Sequence, residues 1–282
     1  MTGYNVSGVR ELLRQHGFNL SKSMGQNFLV DANIPEKIVK LAGIKSTYGV
    51  LEVGPGIGAL TSELCKAAGF VTAVELDKRL VPILKNTFAS TQNVKIVQGD
   101  IMKLDINRLV SEIMPDMEHH VCANLPYNIT TPVISAFIEA GVFSSITVMI
   151  QKEVAQRICA LPGSREYGAF SVYANYHTKP QVLFDVSPEC FFPQPKVTST
   201  VLKMVIRKEK RLSEEEEIKF FRVVKASFGQ RRKTLVNALY AVFEKTHSKE
   251  ELTKIITDCG FDERIRGEVL GIDEFMRISS VL

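Results

Sequence analysis

Five short runs of apolar and β-branched residues punctuate the first 151 positions: Gly49–Val53, Val71–Glu75, Val94–Gln98, His120–Asn124 and Ile146–Gln151. They are close to continuous rather than alternating, the pattern of strands buried on both faces. Between them apolar residues recur at helical spacing, as at Leu60, Leu64 and Ala67–Ala68, then at Leu80, Ile83 and Leu84. Strands alternating with helix-length segments predict right-handed crossovers and a parallel sheet covered on both faces. Two further strands are expected around Gln181–Val186 and Thr198–Ile206, which makes seven. The Pro-rich link Phe191–Lys196 between them has no room for a crossover helix, so they should form an antiparallel pair at the sheet edge. Beyond Ile206 the pattern changes. Arg207–Arg211 is charged, Ser213 followed by four glutamates reads as a helix N-cap with an acidic first turn, and the rest has helical periodicity. The expected organisation is an α/β domain over 1–207 and a small all-α domain over 208–282.

Composition narrows the classes. The 282 residues are 45% apolar, enough for a substantial core, and no apolar run reaches the length of a membrane span. The N-terminus lacks an apolar segment with a small-residue cleavage site. Arg10 and Arg14 on a short amphipathic stretch hint at organelle import, but Glu11 interrupts the basic face, and a cytoplasmic location is expected. Cys65, Cys122, Cys159, Cys190 and Cys259 are scattered and never paired as CxxC, which fits a reducing compartment and neither a zinc nor a disulfide framework. No histidine shows metal-ligand spacing, so no metal is expected. With a net charge of only +4, any nucleic-acid binding must use local basic patches.

Val50-Leu-Glu-Val-Gly-Pro-Gly-Ile-Gly-Ala-Leu60 places a glycine loop between a strand and a helix. Gly54 permits the tight turn, and Gly56 and Gly58 admit a ligand and close helix packing. Glu75, at the end of the next strand, is placed to accept hydrogen bonds from ribose hydroxyls. By itself this is ambiguous, because Gly54-x-Gly56-x-x-Ala59 also satisfies the relaxed dinucleotide fingerprint. Asp100, with Ile101 beside it, follows the third strand and can serve an adenine amine. A turn-forming Asp is the bland alternative.

Asn124-Leu-Pro-Tyr127 closes the fourth strand, the edge where open α/β sheets bind ligands. The Asn124 side-chain oxygen and the Leu125 carbonyl can each accept a proton from an exocyclic amine whose lone pair is delocalised. That draws the nitrogen toward tetrahedral geometry and stabilises charge developing on it. Pro126 stiffens the turn, and Tyr127 offers a face on which a flipped base can stack. No strong base is required.

Five motifs now stand in order along the chain: Lys22-Ser-Met-Gly-Gln-Asn-Phe-Leu-Val-Asp31, Glu52-Val-Gly-Pro-Gly-Ile-Gly58, Asn124-Leu-Pro-Tyr127, Phe191-Phe-Pro-Gln-Pro-Lys-Val197 and Phe228-Gly-Gln-Arg-Arg-Lys-Thr-Leu235. Together they resemble the KsgA-type dimethyladenosine transferases, the bacterial ribosomal RNA adenine dimethylases. The resemblance implies a Rossmann-like class I methyltransferase sheet with a helical C-terminal domain, RNA bound in the cleft between them, and S-adenosylmethionine as methyl donor. It implies dimethylation of two adjacent adenosines near the 3′ end of small-subunit ribosomal RNA, on an immature 30S particle, by a protein that is monomeric when free. It places Gln26, Asn27 and Leu29 in a loop over the cofactor, Gly54 on its methionine part with Gly56 also at the cofactor, Glu75 on its ribose, and Asp100 with Ile101 on its adenine. Asn124 serves both cofactor and substrate, and Phe191 offers an aromatic edge to the base stacked on Tyr127. Lys196 can meet a phosphate. Gln230-Arg-Arg-Lys233 is expected to open an amphipathic helix with Leu235, Ala238 and Leu239 inward, and Arg231, Arg232 and Lys233 are RNA-contact candidates, a solvated face being the alternative. Two other readings stand beside this one: a large-subunit dimethylase of the antibiotic-resistance type, and a protein that acts mainly as a ribosome-assembly factor.

Overall fold

The computed structural model describes residues 5–15 and 27–282. The helices are α1 (Val6–Gln15), α2 (Asn33–Ala42), α3 (Ala59–Ala67), α4 (Leu80–Thr87), α5 (Ile106–Ile113), α6 (Thr130–Ala140), α7 (Lys152–Ile158), α8 (Ala169–His177), α9 (Glu214–Gly229), α10 (Leu235–Phe243), α11 (Lys249–Asp258) and α12 (Ile272–Val281). The strands are β1 (Phe28–Leu29), β2 (Tyr48–Val53), β3 (Phe70–Glu75), β4 (Val94–Gln98), β5 (Glu118–Asn124), β6 (Phe143–Gln151), β7 (Thr178–Val186), β8 (Phe191–Phe192) and β9 (Ser199–Ile206). Seven strands form one sheet in the order β4-β3-β2-β5-β6-β9-β7. The five strands anticipated from apolar runs are the parallel part, and β9 runs antiparallel to β6. The order reverses beside β2, so its carboxyl end and that of β5 open into the crevice where such sheets bind ligands. The two residues each of β1 and β8 pair antiparallel as a separate two-stranded sheet, with Phe28 opposite Phe192 and Leu29 opposite Phe191.

The described chain separates into two compact units, residues 1–155 with 181–206, and residues 156–180 with 207–282. This differs from the boundary at 207 read from the sequence, because residues 156–180 join the helical unit. Tyr167, Val172 and Tyr176 are buried in one apolar cluster with Phe220, Val224, Leu239 and Phe275. The Tyr167 hydroxyl also donates to the Leu270 carbonyl at 2.9 Å. Ser213 caps α9 as expected, in a capping box with Glu216. Gln230–Lys233 does not open a helix. It is the turn after α9, and α10 starts only where the Thr234 hydroxyl accepts from the Asn237 amide. Leu235, Ala238 and Leu239 do point inward. No helix among the described residues is long and apolar enough to cross a membrane.

Candidate active site

The carboxyl ends of β2, β3, β4 and β5 surround an open cavity of about 980 Å³, its mouth included. Its walls bring together residues that are far apart in sequence: Asn27 and Leu29, Gly54 and Gly56, Glu75, Asp100 and Ile101, and Asn124 through Tyr127. Gln26 lies outside the described residues.

The glycine loop is held by its own backbone and by Glu75. The Gly54 amide donates to the Val74 carbonyl at 2.9 Å, which ties the loop to β3. Gly56 has φ 61°, a left-handed conformation that L side chains rarely adopt, and a Cβ there would come within 3.0 Å of the Phe28 ring. Its amide donates to Glu75 Oε2 at 3.1 Å, and Glu75 Oε1 accepts from the Asp77 amide at 2.8 Å. Glu75 is 6% exposed, and burial raises its pKa above the ordinary carboxylate value, against the opposing pull of these amide donors.

A second acid, to which the sequence pattern assigned no role, lies deeper. Glu52 is 1% exposed, and its Oε2 accepts from the Thr61 hydroxyl at 2.6 Å. Burial pushes its pKa up to about 8, with the nearby Glu75 charge adding to the rise. The signal was present in the sequence as one glutamate inside the otherwise apolar run Val50–Val53.

Asp100 combines the turn role and the cavity role. Its Oδ1 accepts from the Met102 amide at 3.1 Å in a local turn, and the residue also lines the cavity, with Ile101 buried beside it. Asn124 ends β5, and its amide NH2 donates to the Asn27 carbonyl at 3.4 Å. Among the described residues the other end of that side chain, Oδ1, makes no hydrogen bond. The Leu125 amide donates to the Met149 carbonyl at 3.1 Å, extending the β5–β6 ladder by one residue into the site. Pro126 (φ −57°, ψ 132°) then turns the chain into one 3₁₀ turn, Tyr127–Ile129, that leads into α6. Tyr127 is half-buried, and its hydroxyl is bonded at 2.7 Å to Ser199 Oγ at the start of β9. Ser199 is fully buried and is a second residue missed from the sequence, because nothing local marks it as Tyr127's partner. Burial raises the Tyr127 phenol, so it stays protonated at neutral pH and is not a base.

Phe191, expected to offer an aromatic edge to the base, is the cross-strand partner of the cavity-lining Leu29. Its side chain is 3% exposed and packs in an apolar cluster with Leu29, Met149, Val186 and Val201. Lys196 is exposed on the link. In the helical unit, Arg231 donates to the Arg165 carbonyl at 3.0 Å and pairs with Glu268 at 3.4 Å, while Arg232 and Lys233 are exposed. No cluster of three metal-ligating side chains occurs among the described residues.

Residues 17–279 match the family model described as ribosomal RNA adenine dimethylase. The chain belongs to that family. It is 45% identical over 268 residues to ribosomal RNA small subunit methyltransferase A of Alkaliphilus oremlandii, covering 95% of this chain and 93% of that protein. It is 45% identical over 281 residues to the same-named protein of Streptococcus pneumoniae, covering 99% and 97%. Among solved structures, a dimethyladenosine transferase from Plasmodium falciparum superposes with a TM-score of 0.74 at 24% identity, covering 89% of this chain and 95% of that one. The 23S rRNA methyltransferase ErmE gives 0.70 at 22%, covering 90% and 98%. At these identities the two structures speak for the fold alone: this adenine dimethylase has the class I methyltransferase architecture.

Proposed function

We propose that this adenine dimethylase uses S-adenosylmethionine to dimethylate the exocyclic amine of two adjacent adenosines near the 3′ end of small-subunit ribosomal RNA. The observation that carries the chemistry is Asn124, which shares one cavity with the glycine loop and Glu75 and whose Oδ1 is unbonded among the described residues. The residues present suit the cofactor. Glu75 retains lone pairs for ribose hydroxyls, Asp100 and Ile101 line the same wall, and Gly54 and Gly56, both at positive φ, present bare backbone to the cavity. When bound, the cofactor supplies an electrophilic methyl group carried on a sulfonium. The chain's own contribution is positioning. Asn124 Oδ1 and the Leu125 carbonyl accept the two amine protons and favour the pyramidal nitrogen of the transition state. Pro126 holds both acceptors, and Tyr127 stacks the flipped base, its ring fixed by the bond to Ser199. The amine proton leaves after transfer, so the protonated Tyr127 phenol has no part in removing it.

The small-subunit substrate rests on relatives 42–45% identical over nearly their whole length that are named for that subunit. The likeness to ErmE carries no such weight. Lys196, Arg231, Arg232 and Lys233 are proposed RNA contacts, in a cytoplasmic enzyme acting on an immature small subunit. Mass spectrometry of 16S ribosomal RNA from cells lacking the protein, with and without restoration of the parent or Asn124→Ala chain, tests the reading. Dimethyladenosines should return only with the parent. Their presence in the lacking strain, or their return with Asn124→Ala at parental level, counts against it.

A further inference from the structure

Helix α1 contributes nothing to the five motifs, yet it packs against three of them. Val9 is 2% exposed and lies in one apolar cluster with Phe28, Ile57 and Phe88. The neighbouring Arg10 places its guanidinium 4.9 Å from the centroid of the Phe192 ring. Phe192 is the cross-strand partner of Phe28 in the β1–β8 pair. The Phe28 ring lines the cofactor cavity and abuts the glycine loop at Gly56. The preceding residue, Asn27, receives the Asn124 side chain on its carbonyl.

We propose that α1 is a clasp over the cofactor pocket, in which Val9 and Arg10 are positioning residues that hold β1 on the pocket rim through Phe192 and Phe28. A two-stranded pair of two residues per strand has almost no stability of its own, and a ten-residue helix is marginal in water. Leu29 and Phe191 anchor the other face of that pair in the sheet core, so α1 and the Phe28–Phe192 face steady each other, and the order of this edge of the rim follows in part the docking of α1. Arg10 then serves an aromatic face rather than an import signal. The clasp bears on how long the cofactor stays bound, because Val9 and Arg10 pack toward Phe28 and Phe192 rather than toward the amine acceptors. The proposal rests on the assignment of the cavity to S-adenosylmethionine.

The test uses full-length protein and S-adenosylmethionine, with affinity from calorimetry, release from stopped-flow, and single-turnover methyl transfer at saturating cofactor. An exposed cation–π contact corresponds to roughly a two- to five-fold effect. Arg10→Ala should weaken cofactor binding by about that factor through faster release, with the saturating rate and thermal midpoint unchanged. Arg10→Lys should stay near the parent. Phe192→Leu, which keeps the apolar packing and removes the ring face, should weaken binding similarly, and the double variant should be no weaker than the worse single. Unchanged affinity in Arg10→Ala, or losses that simply add in the double variant, overturns the clasp. A parent protein that fails to bind S-adenosylmethionine overturns the proposed function instead.

Discussion

The pocket of the α/β unit and the basic turn of the helical unit both hold ionisable side chains, under opposite conditions. In the pocket, Glu52 and Glu75 are almost fully buried, and their carboxyl oxygens are fixed by defined donors at 2.6–3.1 Å. Low local polarity makes those contacts strong and makes any misplacement costly. In the turn Gln230–Lys233, Arg232 and Lys233 stand in water, and Arg231 has a single half-exposed acidic partner. There the Coulombic effect is screened and insensitive to the orientation of the side chain. Function in the first region therefore depends on which atom sits where. In the second it depends on how much charge is present.

The most disruptive change should be Asn124→Ala, which removes a preorganised acceptor at the nitrogen where charge develops. Single-turnover methyl transfer at saturating cofactor should fall by roughly 10²–10³-fold. A loss confined to cofactor affinity would reduce Asn124 to a support for Asn27. Glu52→Gln addresses burial itself. Native Glu52 holds its proton up to about pH 8, while the unfolded chain releases it near 4.5. Between those values the native state binds more protons, so stability falls as pH rises through the window, and the buried Glu75 contributes with the same sign. Glutamine keeps the Thr61 bond and cannot ionise. From pH 5 to pH 8 the variant should gain on the parent by something on the order of 3 kcal/mol in denaturant unfolding. Parallel curves would mean that Glu52 is charged throughout.

Glu75→Ala should weaken S-adenosylmethionine binding by about tenfold, with NAD failing to bind even the parent protein. Calorimetry that finds tight NAD binding would restore the dinucleotide reading of the glycine loop. Tyr127→Phe keeps the stacking face and loses only the bond to Ser199, so RNA capture should weaken by about two- to five-fold with the saturating rate retained. A Phe variant as inactive as Asn124→Ala would give the hydroxyl a chemical role. The smallest effect per residue belongs to the basic turn. Replacing Arg231, Arg232 and Lys233 with Ala should flatten the salt dependence of RNA binding by roughly 0.7–0.9 log–log units for each phosphate that is no longer neutralised. Cofactor affinity should not change. A slope equal to the parent's would leave the turn as a solvated surface.

Much of the pocket is legible in the sequence because its residues sit where local pattern meets a general rule of sheet topology. Gly54, Glu75, Asp100 and Asn124 each end or follow an apolar run, and parallel strands bring such ends to one edge whatever lies between them. Glu52 is equally visible but carries no weight there, since a buried acid within a strand is an exception until its burial is seen. The basic turn differs from its expected helix for a related reason: helical spacing continues through Gln230–Lys233, and only the Thr234 cap shows where α10 begins.

What the sequence determined by itself was therefore the local part: the parallel strands, the glycine turn, the Ser213 cap and the rigid Asn124–Tyr127 corner, each set by the propensity and turn chemistry of neighbouring residues. The tertiary structure alone decided four other matters. It buried Phe191 against Leu29, Met149 and Val201, and it gave Tyr127 the distant Ser199 as partner. It assigned residues 156–180 to the helical unit and set Arg10 on the ring of Phe192. Each of these depends on contacts between residues far apart in the chain, where the burial of one side chain is settled by the shape another segment presents, and no local periodicity carries that information.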